Sequence, residues 1–182
     1  LRYHGGVFNG RAVGADPADK FPLFILRLES NPSLNIGNSK GDLTIGGNIA
    51  YNKAQNANYI NSMLSNFNGN RLLFGGDFRL NIDKFLLAGE YIRGEYKPET
   101  GVKTVAQGFH LTGGYYIFEN TQLLLRLDNF KPTENAKAQN LLLVGVNQKL
   151  SEPAALQFNY VIDADDSKFQ YNRLFLVFQI FF

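Results

Sequence analysis

Cysteine is absent from the 182-residue chain, which excludes disulfide bonds, thiolate metal sites and cysteine nucleophiles. No stretch approaches the roughly 18 consecutive apolar residues of a membrane-spanning helix, and long apolar runs such as 141–146 and 174–178 are far shorter. The formal net charge of +2 is too small to indicate a nucleic-acid partner. The hydrophobic fraction of 45% is ordinary for a soluble protein, so composition alone does not indicate a membrane protein.

What the chain does have is an apolar residue at every second position, in segment after segment. In the last segment, Leu174, Leu176, Phe178, Ile180 and Phe182 alternate with mixed side chains. This period of two predicts β-strands. We predict ten strands, near 3–10, 22–30, 42–52, 70–81, 85–96, 106–117, 121–130, 139–149, 154–163 and 171–182. Most exceed the typical soluble strand and match the ~9–11 residues of a tilted membrane crossing.

The connections between these strands alternate in length. Short links lie at 82–84, 118–120 and 150–153, and longer polar links near 53–69, 97–105, 131–138 and 164–170. Short periplasmic turns and long outer loops are typical of transmembrane barrels. Two links differ from this pattern. Residues 31–41 should be periplasmic but form a longer link. The asparagine-rich loop 53–69 has room for a helical turn at 57–64.

These patterns predict an all-β fold, an antiparallel transmembrane β-barrel with about ten strands in this chain. No linker or low-complexity tract divides residues 1–182, so we expect a single domain. In such a barrel, polar residues facing the lumen dilute the apolar residues facing lipid, which explains the ordinary composition. The alternative is a soluble β-sandwich, against which the strand lengths and loop asymmetry argue.

The C-terminus, Phe178-Gln-Ile-Phe-Phe182, resembles the last strand of bacterial outer-membrane barrels. In that class a final Phe marks the signal that the barrel-assembly machinery recognises. The resemblance therefore implies an assembly signal of Phe178, Ile180 and Phe182, and the bacterial outer membrane as the location. Lipid and the assembly machinery would be partners, with Phe182 at the periplasmic interface, where aromatic rings are favoured.

If the face of Phe182 meets lipid, pleat alternation assigns the lumen-facing side chains. The predicted pore-lining residues are Arg27, Glu29, Asp77, Arg79, Glu90, His110, Arg126, Asp128, Lys149 and Arg173. An arginine on the lipid side would cost ~2–4 kcal/mol at the bilayer midplane, so we expect the charged side chains to face the lumen. These charges could filter ions, or they could form a paired network that stiffens the wall. Their mixed signs predict no strong ion selectivity.

Two other groups of residues have side chains that occur in metal or catalytic sites. Asp163-Ala-Asp165-Asp166 could bind a divalent cation, but it lacks the Gly and distant Glu of a calcium loop, which favours a solvated loop. A barrel protease would need His4 or His110 with an acid such as Asp77 or Asp128, and no spacing supports it. We therefore expect no metal, no cofactor and no enzymatic activity.

Four segments in order resemble the phosphate-selective porin O/P family. They are Gly5-Gly-Val-Phe-Asn-Gly10, Arg27-Leu-Glu-Ser-Asn-Pro32, Ala88-Gly-Glu-Tyr-Ile-Arg-Gly-Glu-Tyr96 and Leu125-Arg-Leu-Asp-Asn-Phe130, the last with Leu127 in place of a Tyr. The resemblance implies a sixteen-stranded barrel and a homotrimer, with about six strands before Leu1. A start in mid-strand without Met or secretory signal agrees with this expectation. The alternative is a complete ten-stranded barrel with a narrow lumen.

The family's phosphate specificity is not expected here, because the predicted inward basic residues alternate with acids. We predict an outer-membrane porin whose water-filled channel allows passive diffusion of small hydrophilic solutes or ions. The alternative function is a structural or docking barrel that is plugged, partner-binding or adhesin-like.

Overall fold

The computed structural model describes residues 1–8, 21–60, 64–165 and 171–180, and all regular structure in these ranges is β. The strands are β1 (Arg2–Phe8), β2 (Leu23–Ser30), β3 (Ser33–Ile36), β4 (Ser39–Tyr59), β5 (Leu64–Ile82), β6 (Phe85–Pro98), β7 (Thr104–Phe118), β8 (Thr121–Lys131), β9 (Gln139–Ser151), β10 (Ala154–Asp163) and β11 (Arg173–Ile180). No helix long and apolar enough to cross a membrane occurs in the described ranges.

The eleven strands form one antiparallel sheet whose neighbours follow chain order, β1-β2-β4-β5-β6-β7-β8-β9-β10-β11. Only β3 departs from this path, since it pairs with the start of β4. β1 and β11 are the two edges, and within the described residues the sheet does not close between them. The predicted all-β antiparallel fold is therefore confirmed as a single up-and-down sheet, an arrangement that fits a β-barrel.

Short and long connections lie at opposite ends of this sheet. β5 joins β6 through Asp83 and Lys84, and equally short turns join β7 to β8 and β9 to β10. Asp83 takes a φ of 48°, a left-handed conformation that Asp tolerates better than most residues. The end of β11 lies on the same side as these turns. We call this side the short-turn end and the opposite side the long-loop end.

The expected link at 31–41 is a small hairpin in the structure. Residues Ser33–Ile36 pair with the first residues of β4, and Gly37 has a φ of 62° in the two-residue turn between them. Only glycine adopts this conformation at little cost. The sequence pattern indicated no strand within this link, because the strand pairing is only four residues long and its alternation is weak.

The expected loop at 53–69 is also a strand pair, so the prediction of a helical turn at 57–64 was wrong for the described residues. β4 runs on to Tyr59 and β5 begins at Leu64, with register shifts after Ala54 and Ala57. Four asparagines support the irregular backbone at these shifts. The backbone N–H of Asn56 donates to Oδ1 of Asn68 at 3.1 Å, and that of Asn66 donates to Oδ1 of Asn58 at 3.0 Å. We call residues 55–60 and 64–68 the distal hairpin.

Candidate functional site

The strand register sorts the side chains of the sheet onto two faces, because directly paired residues of antiparallel strands share a face. The face that carries Phe178 includes Leu156, Val146, Leu123 and Tyr115, followed strand by strand to β1. Its charged members are Lys53, Arg93, Glu95, Lys97 and Lys131, all close to the long-loop end. We call it the apolar face, and the opposite one the polar face.

The apolar face is open to its surroundings. Leu176, Phe178 and Leu125 expose 68%, 59% and 51% of their surface. By contrast, the buried hydrophobic residues of the described chain are few: Ala54, Phe67, Tyr96, Val105 and Ala106. Soluble monomers rarely expose a continuous apolar surface larger than a few hundred Å². This face therefore needs an apolar environment to cover it.

Aromatic residues border the apolar part of the apolar face on two sides. At the short-turn end Phe85 and Tyr115 are paired across β6 and β7, with ring centroids 4.8 Å apart. Near the middle of β6, Tyr91 is paired with Phe109, and the next pair on this face is Arg93 with Gln107. Such borders are typical of strands that cross a membrane, since aromatic rings favour the interface between lipid and water.

All ten predicted pore-lining residues lie on the polar face. They are Arg27, Glu29, Asp77, Arg79, Glu90, His110, Arg126, Asp128, Lys149 and Arg173. They belong to seven strands, which are β2, β5, β6, β7, β8, β9 and β11.

The charges of the polar face form two rows that run across the strands. An acidic row of paired positions contains Glu29, Asp77, Glu90 and Asp128, with His110 between the last two. A basic row, two residues nearer the short-turn end, contains Arg79, Arg126 and Arg173. Two residues along a strand correspond to roughly 7 Å. Acidic and basic residues that alternate along the sequence therefore lie in separate rows on the polar face.

The shortest ion pair among the described residues bridges two strands that are not neighbours. Arg27 on β2 donates to both carboxylate oxygens of Asp77 on β5, at 2.6 and 2.8 Å, and reaches across β4. It also donates to Glu29 at 3.3 Å. β4 has Gly46 at the crossing point, where a Cβ would collide with Nη2 of Arg27 and Oδ2 of Asp77. The glycine makes room for the guanidinium group.

Some charged residues of the polar face are paired and others are not. Nε of Arg126 lies 2.8 Å from Oδ1 of Asp128, and Nζ of Lys149 lies 3.0 Å from Oε1 of Glu152. Arg79 and Arg173 form no ion pair within the described part of the chain. The structure therefore contains elements of both earlier hypotheses, a paired wall network and free charges that a solute can meet.

The distal hairpin packs against the polar face near the long-loop end. The Tyr59 ring lies 5.4 Å from Tyr96 and 5.7 Å from Phe67, and the guanidinium carbon of Arg71 lies 4.7 Å from its centroid. Ala54 and Ala106, both on the polar face, complete this cluster. Sequence reasoning missed it because it treated residues 53–69 as a polar loop. Tyr59 and Phe67 inside that polar stretch were the available signal.

The histidines show no catalytic arrangement in the described residues. Nδ1 of His110 lies 3.9 Å from Oε2 of Glu90, too far for a hydrogen bond. The two acids considered as its partners, Asp77 and Asp128, are held by Arg27 and Arg126. Each of these carboxylates is therefore paired with an arginine and not with a histidine.

Asp165, just after β10, contacts the start of β9 and the loop that precedes it. The carboxylate of Asp165 accepts hydrogen bonds from the backbone N–H of Asn140 at 2.8 Å and from its side chain at 3.2 Å, and lies 3.2 Å from Nζ of Lys137. The Asn140 N–H and the Lys137 ammonium hold the pKa of Asp165 below its usual range. Asp166 lies outside the described residues. Among those described, no cluster of side chains is suited to hold a metal ion.

Of the predicted assembly signal, Phe178 and Ile180 lie on the apolar face and are 59% and 49% exposed. Phe182 lies outside the described residues. Comparison of the chain with protein-family models, with curated proteins and with solved structures gives no match.

Proposed function

We propose that this protein is a porin of the bacterial outer membrane, whose barrel encloses a water-filled channel for passive diffusion of small hydrophilic solutes or ions. The observation that carries the proposal is the two-faced sheet. One face is apolar and exposed over most of its length, as contact with lipid requires, and the charges of the strands lie on the other face except near the long-loop end. Water on the polar face would solvate those charges, and lipid on the apolar face would cover its leucines and phenylalanines.

The free edges of the sheet support a closed barrel. β1 and β11 each present one row of backbone groups that no described strand pairs. Unpaired backbone groups cost several kcal/mol each in lipid, so a spanning sheet must close on itself or on further strands. We favour closure in a sixteen-stranded, trimeric barrel, as the resemblance to the phosphate-selective porin O/P family implies. A narrow ten-stranded barrel would have little room for solutes.

The arrangement of charges favours a general channel over a phosphate-selective one. The acidic row lies beside the basic row, and Arg27 and Arg126 are neutralised by carboxylates. Arg79 and Arg173 remain as separate cations and do not form a continuous row of basic residues along which an anion could pass. We expect the channel to discriminate weakly between small anions and cations.

Single cysteines can test the channel, because the native chain has none. Thr112 lies on the polar face and Leu111, its neighbour in β7, lies on the apolar face. In planar bilayers we expect stepwise conductance, and a charged, water-soluble thiol reagent should reduce it in the Thr112→Cys variant. The Leu111→Cys variant is the matched control and should not respond. The absence of any conductance from the full-length protein would contradict the proposal.

A second function, a plugged barrel that docks a partner, is favoured by the distal hairpin. Its aromatic cluster covers part of the polar face near the long-loop end. If the hairpin closes the channel, the native protein should not conduct, and a Tyr59→Ala variant that releases the hairpin should. If native conductance is already present and Tyr59→Ala leaves it unchanged, the plug is excluded.

A further inference from the structure

A row of neutral amides crosses the polar face near the short-turn end, away from the charged rows. Tyr116 on β7, Gln122 on β8, Asn147 on β9 and Gln157 on β10 are direct register partners in turn. Gln179 on β11 is displaced from the row by two residues towards the short-turn end. Neighbouring strands are roughly 4.8 Å apart, so the amides form a regular ladder.

The ladder lies in a cleft of about 310 Å³. Its polar side chains are mostly uncharged, and the charged residues of the lining, Glu119, Lys149 and Glu152, belong to the adjoining turns and strand end. Lys149 and Glu152 pair with each other at 3.0 Å. The cleft therefore differs in chemistry from the acidic and basic rows on the same face.

The amides of the cleft retain hydrogen-bonding capacity. Nδ2 of Asn147 lies 3.5 Å from Oε1 of Gln122, at the outer limit of a hydrogen bond. Gln157 and Gln179 make no side-chain hydrogen bond within the described part of the chain. Each free amide offers two N–H donors and an oxygen acceptor. A neutral solute with hydroxyl groups can use both functions without bringing a charge into the cleft.

We propose that this cleft is a binding site for neutral polyhydroxylated solutes of the size of a sugar, an inference that rests on the proposed channel. The spacing of the ladder is similar to the separation of hydroxyl groups across a sugar ring. Tyr116 adds an aromatic surface at one end of the ladder, and such a surface can pack against the apolar C–H groups of a sugar. An ion would exchange its hydration shell for neutral amides and find no opposite charge among them.

The test measures how sugars reduce the ion current of the full-length protein in planar bilayers. Glucose and sucrose are the neutral probes, and gluconate is the charged probe. We expect the neutral sugars to reduce the current with saturation, and the Asn147→Leu, Gln157→Leu double variant to raise the half-saturating concentration about tenfold, since two hydrogen-bonding groups are lost. Asn48→Leu, an amide change on the same face beside the charged rows, is the matched control and should leave it unchanged.

Calorimetric titration of glucose into the protein in detergent micelles separates the two proposals. Conductance without sugar saturation or heat of binding overturns the sugar site and leaves the porin intact. Heat of binding that the double variant abolishes, in a protein without conductance, supports the site and overturns the porin. Equal saturation by gluconate, or an unaltered double variant, overturns the assignment to neutral solutes.

Discussion

The two faces of the sheet differ far more than two adjacent residues of any strand would suggest. Leu124 and Leu125 follow each other on β8, yet Leu125 lies among exposed apolar side chains and Leu124 lies beside Gln122 and Arg126. The same amino acid therefore has two environments, decided only by the pleat. The effect of a substitution in this protein is therefore expected to depend on the face of the sheet more than on the amino acid that is replaced.

The largest expected effect on stability comes from a charge placed on the apolar face of β8, compared with the same charge on its polar face. In the proposed outer-membrane barrel, Leu125→Arg should destabilise the folded protein by about 2–4 kcal/mol, because lipid over the middle of the apolar face would deprive the guanidinium group of its water. Leu124→Arg, one residue away, should cost much less, because that side chain meets the polar face. Denaturant unfolding in lipid vesicles measures both. Equal losses from the two variants would sink the assignment of the faces.

Faces and strands were the parts that the sequence could predict. A period of two is set by the pleat alone, so Leu125 and Arg126 could be assigned to opposite faces without knowledge of the pairing partners. The ion pair of Arg27 with Asp77 could not be predicted, because it joins residues 50 positions apart and depends on the register of three strands. The family resemblance stays a prediction.

The distal hairpin shows a different limit. Asn and Gly are poor strand formers, and the stretch 53–69 is rich in Asn, so local propensity indicated a loop. The strand is retained because asparagine side chains bind the backbone at the register shifts, and because Tyr59, Phe67 and Tyr96 bury one another. Tertiary packing outweighs propensity here.

The next largest effect concerns that hairpin. Phe67 is only 5% exposed, and Phe67→Ala should remove about 2 kcal/mol from the local stability of the hairpin. Hydrogen exchange should then accelerate in residues 55–60 and 64–68, with little change in β8–β10. Phe130→Ala, which truncates a half-exposed aromatic of the polar face, is the control and should leave the hairpin protected. Unchanged exchange in the Phe67→Ala hairpin would contradict the packing described above.

A smaller effect is expected from the ion pair that crosses β4. Arg27→Gln should lower the free energy of unfolding by about 1 kcal/mol, since both partners are partly exposed and solvent weakens the pair. Gly46→Ala should have a similar effect by displacing the guanidinium group, although it leaves both charges in place. Arg79→Gln removes a cation without an ion pair in the described residues and is the matched control. A loss for Arg79→Gln as large as that for Arg27→Gln would show that the geometry of the pair is irrelevant.

The smallest effect is expected at the long-loop end of the sheet, in the contact of Asp165 with Asn140. Because the pKa of this carboxyl group is lowered in the folded protein, its contribution to stability is present above the ordinary pKa of Asp and is lost as the pH falls through the lowered value. Asp165→Asn should therefore speed hydrogen exchange of the Asn140 amide at neutral pH. At a pH low enough to protonate Asp165 in the native protein, the two proteins should exchange alike once the chemical rate is corrected. If the difference persists there, the N–H of Asn140 is protected by backbone packing, and the charge of Asp165 does not matter to it.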